Sequence, residues 1–145
     1  MNVAITKKIK RIAATNRVRK DREEFRAVSN NKENPNKNIC VLRVAWALGC
    51  GKASRYLHCA EDLVYAVRKM YSVRSRKSAV KGLTIGRARA KCLSLANEVK
   101  DCVAFIATVK GHVLLLNRSG ETMIDTDPRK RDRRKIVFFY IVYGK

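Results

Sequence analysis

Three residues far apart in the chain have the types and order that thiol acyl transfer needs. Cys40 sits in Asn38-Ile39-Cys40-Val41-Leu42-Arg43, His112 follows Gly111 downstream, and Asp125 follows Ile124 further on. A thiol attacks carbonyl carbon as its thiolate, so it needs a base, a group that orients the base, and donors for the oxyanion. Cys40 supplies the nucleophile, His112 the base and Asp125 the orienting carboxylate. The Cys40 backbone N–H is one oxyanion donor, and the side-chain amide of Asn34, Asn36 or Asn38 is the second, with no physical ground for choosing among the three.

Four other cysteines compete for the role. Cys50 lies between Gly49 and Gly51 after its helix, where the helix dipole disfavours a thiolate. Cys59, Cys92 and Cys102 lie on apolar stretches and read as small buried hydrophobes. Five cysteines, an odd number without a Cys-x-x-Cys, fit reduced thiols and no metal or other cofactor. The second histidine, His58, lacks a carboxylate arranged to orient it and reads as an ordinary residue.

The elements that must position these groups follow from patterning. Residues 1–37 form a basic N-terminal arm or helix and a loop, the loop being the Asn-rich Ser29–Asn38 with Pro35. Residues 38–145 form the core domain. Cys40–Leu48 suits a buried helix stopped by Gly49–Gly51, which puts the thiol at a helix start. Ser54 is the expected N-cap of a second helix with an apolar stripe of Tyr56, Ala60, Leu63, Val64, Val67 and Met70. Ser72–Gly82 reads as a basic loop, and Thr84 as the start of a third helix carrying Ile85, Ala88, Cys92, Leu93 and Leu95. Strands follow at Cys102–Val109, Val113–Leu116, Thr122–Asp125 and Ile136–Tyr143, with turn signals between them. Helices first and antiparallel strands after predict an α+β domain, with the Cys-bearing helix packed on a C-terminal antiparallel sheet. A meander then brings the start of the His112 strand to the end of the Asp125 strand.

The 145 residues carry 33 Lys and Arg against 12 Asp and Glu, a net charge of +21 that implies attraction to a polyanion or an acidic partner. The cations concentrate in Lys7–Arg26, Arg68–Lys91 and Arg129–Lys135. Candidate contacts to nucleic acid or an acidic partner are Arg74, Arg76, Lys77, Lys81, Arg87, Arg89, Arg129, Lys130, Arg131, Arg133 and Arg134. Aromatics barely interleave with these cations, Tyr71 and Phe25 being nearly alone, which argues against base-specific reading. Phe138, Phe139, Tyr140 and Tyr143 read as core and sheet edge. No apolar run approaches the roughly 20 residues of a membrane span, and a signal peptide would need an apolar core where Asp21, Glu23 and Glu24 stand. A cytoplasmic protein without membrane contact is expected, its oligomeric state open.

Read together, the Asn38–Gly49 segment, Lys81-Gly82-Leu83-Thr84, Val109-Lys110-Gly111-His112-Val113 and Ile124-Asp125-Thr126 resemble small papain-like cysteine peptidase-like proteins found in bacteriophages and bacteria. The likeness covers about residues 38–143. It implies a papain-like fold with Cys40 as nucleophile, His112 as base and Asp125 as its partner, acting on a polypeptide substrate. Asn34 occupies the offset at which the broader papain-like pattern has a Gln, six residues before the cysteine. Ile39 stands where an Asp is expected and Val44 where an Ala is. The resemblance admits two functions: a cysteine peptidase or isopeptidase, or a non-catalytic papain-like scaffold. The scaffold would be of the kind a phage encodes for host takeover, binding nucleic acid, ribonucleoprotein or an acidic host protein in the host cytoplasm.

Overall fold

The computed structural model describes residues 3–12, 39–50, 57–79, 83–110, 112–124 and 134–144. Within them lie four α-helices, α1 (Val3–Ile12), α2 (Ile39–Ala47), α3 (Ala60–Tyr71) and α4 (Ala88–Glu98), the last entered through a 3-10 turn at Ile85–Arg87. Five strands, β1 (Arg74–Ala79), β2 (Cys102–Val109), β3 (His112–Asn117), β4 (Thr122–Ile124) and β5 (Ile136–Tyr143), form one sheet in the order β1-β5-β2-β3-β4. All four pairings are antiparallel. The mixed helix and sheet architecture and the antiparallel strands match the expectation from patterning.

The sheet is covered on both faces, which explains why β2 reads as an unbroken apolar run rather than an alternation. One face carries α1, α2 and α3, with Ile5, Val41, Val44, Leu63 and Val67 meeting Ile106, Leu115 and Val142. The other carries α4 and its 3-10 entry, with Ile85, Cys92 and Leu95 meeting Phe105, Leu114, Phe139 and Ile141. Period-two alternation sorts β2 between these cores with one slip: Val103 and Ala104 both belong to the first core, and Cys102 and Phe105 to the second. The register of β2 against β5 shifts at that point, so an extra residue is absorbed as a bulge. A second shift, between Thr108 and Val109, sets Thr108 opposite Phe138 and Val109 opposite Ile136, leaving Val137 as the extra residue of β5.

Several expectations need correction. Arg74–Ala79, expected within a loop, is the edge strand β1, paired along its whole length with β5. An edge strand needs one partner only, and its side chains stay largely in water, so the strand carries no apolar pattern to betray it. Thr84 caps the 3-10 turn, its Oγ1 accepting from the Arg87 N–H at 3.3 Å, and the α-helix proper begins at Ala88. Helix α3 begins at Ala60 with Cys59 as N-cap, while Ser54 and Tyr56 lie outside the described residues. Met70 and Leu93, expected in the core, are exposed, because the stripes that meet the sheet run through Leu63, Val64 and Val67 and through Cys92, Leu95 and Ala96. Cys59, expected buried, is exposed at the α3 cap. Among the described residues no helix is long and apolar enough to cross a membrane.

Candidate functional site

Three chain segments end at the same side of the sheet. Helix α2 packs against β3, and its first turn places Cys40 there, 7% exposed. The chain leaves β2 at Val109 and enters β3 at His112, opposite Val109 in the ladder, so the hairpin tip delivers the imidazole to that side. Helix α3 starts there with Cys59, Ala60 and Glu61. These residues, with Thr108, Lys110, Val113, Val137 and Phe138, line a cleft of about 350 Å³.

Each polar group in the cleft has a local cause. The Thr108 hydroxyl donates to the Phe138 carbonyl at 3.2 Å, at the point where the β2 and β5 register slips. Glu61 lies in the first turn of α3, where a carboxylate complements the positive end of the helix. It accepts a 2.6 Å hydrogen bond from the Tyr140 hydroxyl. That bond holds the Glu61 carboxyl below its ordinary value, and Tyr140, desolvated and facing a carboxylate, titrates well above its own. The Lys77 ammonium stands 4.0 Å from the centroid of the Phe138 ring. This contact gives the exposed edge strand a foothold on the cleft side.

The cleft thus brings together two of the four residues expected to do chemistry, Cys40 and His112. Asp125 and Asn34 lie outside the described residues. Strand β4 runs antiparallel to β3 with Ile124 opposite Leu115, so the chain leaves β4 heading toward the His112 end of β3. The rival thiol Cys50 is buried and donates to the Met70 thioether at 3.6 Å. Desolvation by burial pushes it up to about 11. Cys92 and Cys102 are likewise pushed up, to about 12 and about 11, by burial. Cys59 shares the cleft with Cys40. The Asp62 backbone N–H draws its thiol down, but burial and the Glu61 and Asp62 carboxylates outweigh that and leave it raised. The His58 backbone N–H donates to Asp62 Oδ2 at 3.0 Å, so this carboxylate serves the main chain at the helix start.

Glu61 and Cys59 were not singled out by patterning. Glu61 has a sequence signal only as a first-turn acid, and its pairing with Tyr140, 79 positions away, is a tertiary fact. No group of three or more His, Cys, Asp or Glu among the described residues is placed to hold a metal ion.

Among the described residues, the expected cationic contacts do not form one patch. The sheet register puts Arg74 and Arg76 on the α4 side of β1, where Arg76 Nη2 lies 3.7 Å from Glu98 Oε1, and Lys77 on the cleft side. Arg87 and Arg89 stand at the other end of α4, roughly 13–17 Å along the helix from Glu98. Arg134 is half-buried ahead of β5, its carbonyl accepting from the Ile85 N–H at 3.0 Å. Lys81, Arg129, Lys130, Arg131 and Arg133 lie outside the described residues. No protein-family model, no curated protein and no solved structure matches the chain.

Proposed function

We propose that the chain is a papain-like thiol hydrolase, a cysteine peptidase or isopeptidase working through an acyl-enzyme on Cys40. The observation that carries this reading is that Cys40 and His112, 72 positions apart, line one cleft, with the thiol in the first turn of a helix. In the reaction the Cys40 sulfur adds to a substrate carbonyl, and the imidazole takes the thiol proton and passes it to the leaving amine. Water then adds to the thioester, His112 takes its proton, and the carboxylic acid leaves with Cys40 restored. Asp125 is assigned the task of orienting His112, and the Cys40 backbone N–H and an asparagine amide, Asn34 in the papain-like pattern, that of holding the oxyanion.

The experiment is competitive labelling with an electrophilic thiol probe at neutral pH, read by peptide mass spectrometry. Cys40 should label far faster than Cys50, Cys92 and Cys102, and faster than Cys59 although that thiol is more exposed. His112→Ala should remove the preference. Equal rates for Cys40 and Cys59, unchanged by His112→Ala, would discard the reading.

A second reading rests on the charge of +21. In it the same core is a non-catalytic scaffold whose cationic faces hold nucleic acid, ribonucleoprotein or an acidic host protein, since a fold does not by itself grant activity. Binding that weakens steeply as salt rises, in a protein whose Cys40 shows no labelling preference, supports this reading over the first.

A further inference from the structure

A second depression, of about 540 Å³, lies at the opposite end of α3 from the cleft. It is lined by Tyr65, Arg68, Lys69, Ser72, Val73 and Arg74. Its construction is local. Tyr65, Arg68 and Lys69 are spaced i, i+3 and i+4, so they share one face of α3, away from the stripe of Leu63, Val64 and Val67 that meets the sheet. Ser72 then adopts a left-handed conformation, φ 54°, which ends the helix and turns the chain into β1. Arg74, the first residue of β1, thereby reaches the rim of the same hollow, although its place in the sheet turns its side chain toward the α4 side.

Two features need a joint explanation. Cations in a last helical turn commonly complement the negative end of the helix, and Arg68 and Lys69 do so here. That role does not account for Tyr65, which is 65% exposed beside them. The other tyrosine of this helix shows what a structural one does: the Tyr71 ring is half-buried and its hydroxyl donates to the Leu48 carbonyl. Tyr65 instead presents an aromatic face to solvent, beside the two cations of its own helix face and with no acidic residue in the lining. Cations alone suit any polyanion, whereas an aromatic face among them adds a stacking surface for a base. The volume suits a small-molecule-sized group, within the range of about 300–1,000 Å³ of ligand pockets.

We propose that this groove binds single-stranded nucleic acid, with a base stacked on Tyr65 and the adjoining phosphates held by Arg68 and Lys69. The aromatic interleaving that was scarce in the linear sequence is thus supplied by helical spacing. The site is independent of the thiol chemistry, being at the other end of α3, and stands or falls apart from it.

The test uses the full chain and fluorescence anisotropy with a labelled oligothymidylate of about 12 nucleotides, beside an abasic oligomer of equal length and charge. The thymidylate should bind at least about fivefold tighter than the abasic strand, because stacking adds to the phosphate contacts. Tyr65→Ala should erase that difference while leaving abasic binding unchanged, and Tyr65→Phe, which keeps the ring, should preserve it. Arg68→Gln and Lys69→Gln should each weaken both oligomers and lower the salt slope by about 0.7. Equal binding of the two oligomers to the unaltered protein, or a preference for thymidylate that survives Tyr65→Ala, would overturn the proposal. So would a polyglutamate of matched charge binding as tightly as the thymidylate, which would assign the groove to an acidic polypeptide.

Discussion

The Tyr140 hydroxyl donates to the Glu61 carboxylate at 2.6 Å, tying the middle of β5 to the first turn of α3. The bond stabilises the ionised form of Glu61, whose folded value lies below the ordinary 4.5. Its contribution is therefore present above pH 4.5 and is lost as pH falls through the lowered value. Tyr140→Phe should cost about 1 kcal/mol at neutral pH, less than the roughly 1.5–3 kcal/mol of a bond to a charged group, because Glu61 is exposed to water. Urea denaturation at neutral and acid pH checks this: the two proteins should converge in stability once the carboxylate is protonated in both.

The turn between β3 and β4 touches α4 at Gly120. Its φ of +81° is one that side chains rarely adopt, and a Cβ there would lie 2.8 Å from the Arg89 Cα and 3.1 Å from the Cys92 Cβ. The close neighbour is backbone, which has no flexible end to swing aside. Gly120→Ala should destabilise the fold by about 2–4 kcal/mol, combining backbone strain with displacement of the turn from the helix. A thermal melt compared with that of Ser119→Ala, one position earlier in the same turn, separates this from a generic turn effect.

Three buried thiols set an alkaline limit. Cys50, Cys92 and Cys102 titrate at about 11, 12 and 11 in the fold because burial disfavours the thiolate, against 9.0 for the unhindered group. The folded chain then holds protons that the unfolded chain releases, so stability falls as pH rises. The contribution is complete below pH 9.0 and disappears as pH climbs through the folded values. Denaturation midpoints followed from neutral pH upward should drop above pH 9.0, and Cys92→Ala should flatten that drop by one proton.

Thr108 spans the register slip beside the cleft. Its hydroxyl donates to the Phe138 carbonyl, and valine keeps the shape without the donor. Thr108→Val should cost about 1 kcal/mol and speed hydrogen exchange in the β2 and β5 amides next to Val137, measured by mass spectrometry or NMR.

What could be read from the chain divides along physical lines. The strand at Cys102–Val109 was legible because burial on both faces writes a continuous apolar run, and the helix at Cys40 and the strand at Ile136–Tyr143 because their residues are nearly all apolar or aromatic. The placement of His112 at a strand start followed from the turn at its glycine and the pairing that a short hairpin imposes. Strand β1 was not legible, since Arg-Ser-Arg-Lys-Ser-Ala has neither period and its pairing depends wholly on β5. Leu93 misled for the opposite reason: helical spacing places it near the apolar stripe, but α4 meets the sheet through Cys92, Leu95 and Ala96. Glu61 and Cys59 joined the cleft through the angle at which α3 starts, which no local pattern encodes.

The unpatterned strand β1 also decides where the sheet stops growing. An open sheet has two outer rims, each able to recruit a strand from another molecule. Here one rim is β4, only three residues long, and the other is β1, which carries Arg74, Arg76 and Lys77 within six residues. Two β1 rims meeting would bring six positive charges together, so copies of this chain are discouraged from joining their sheets through β1.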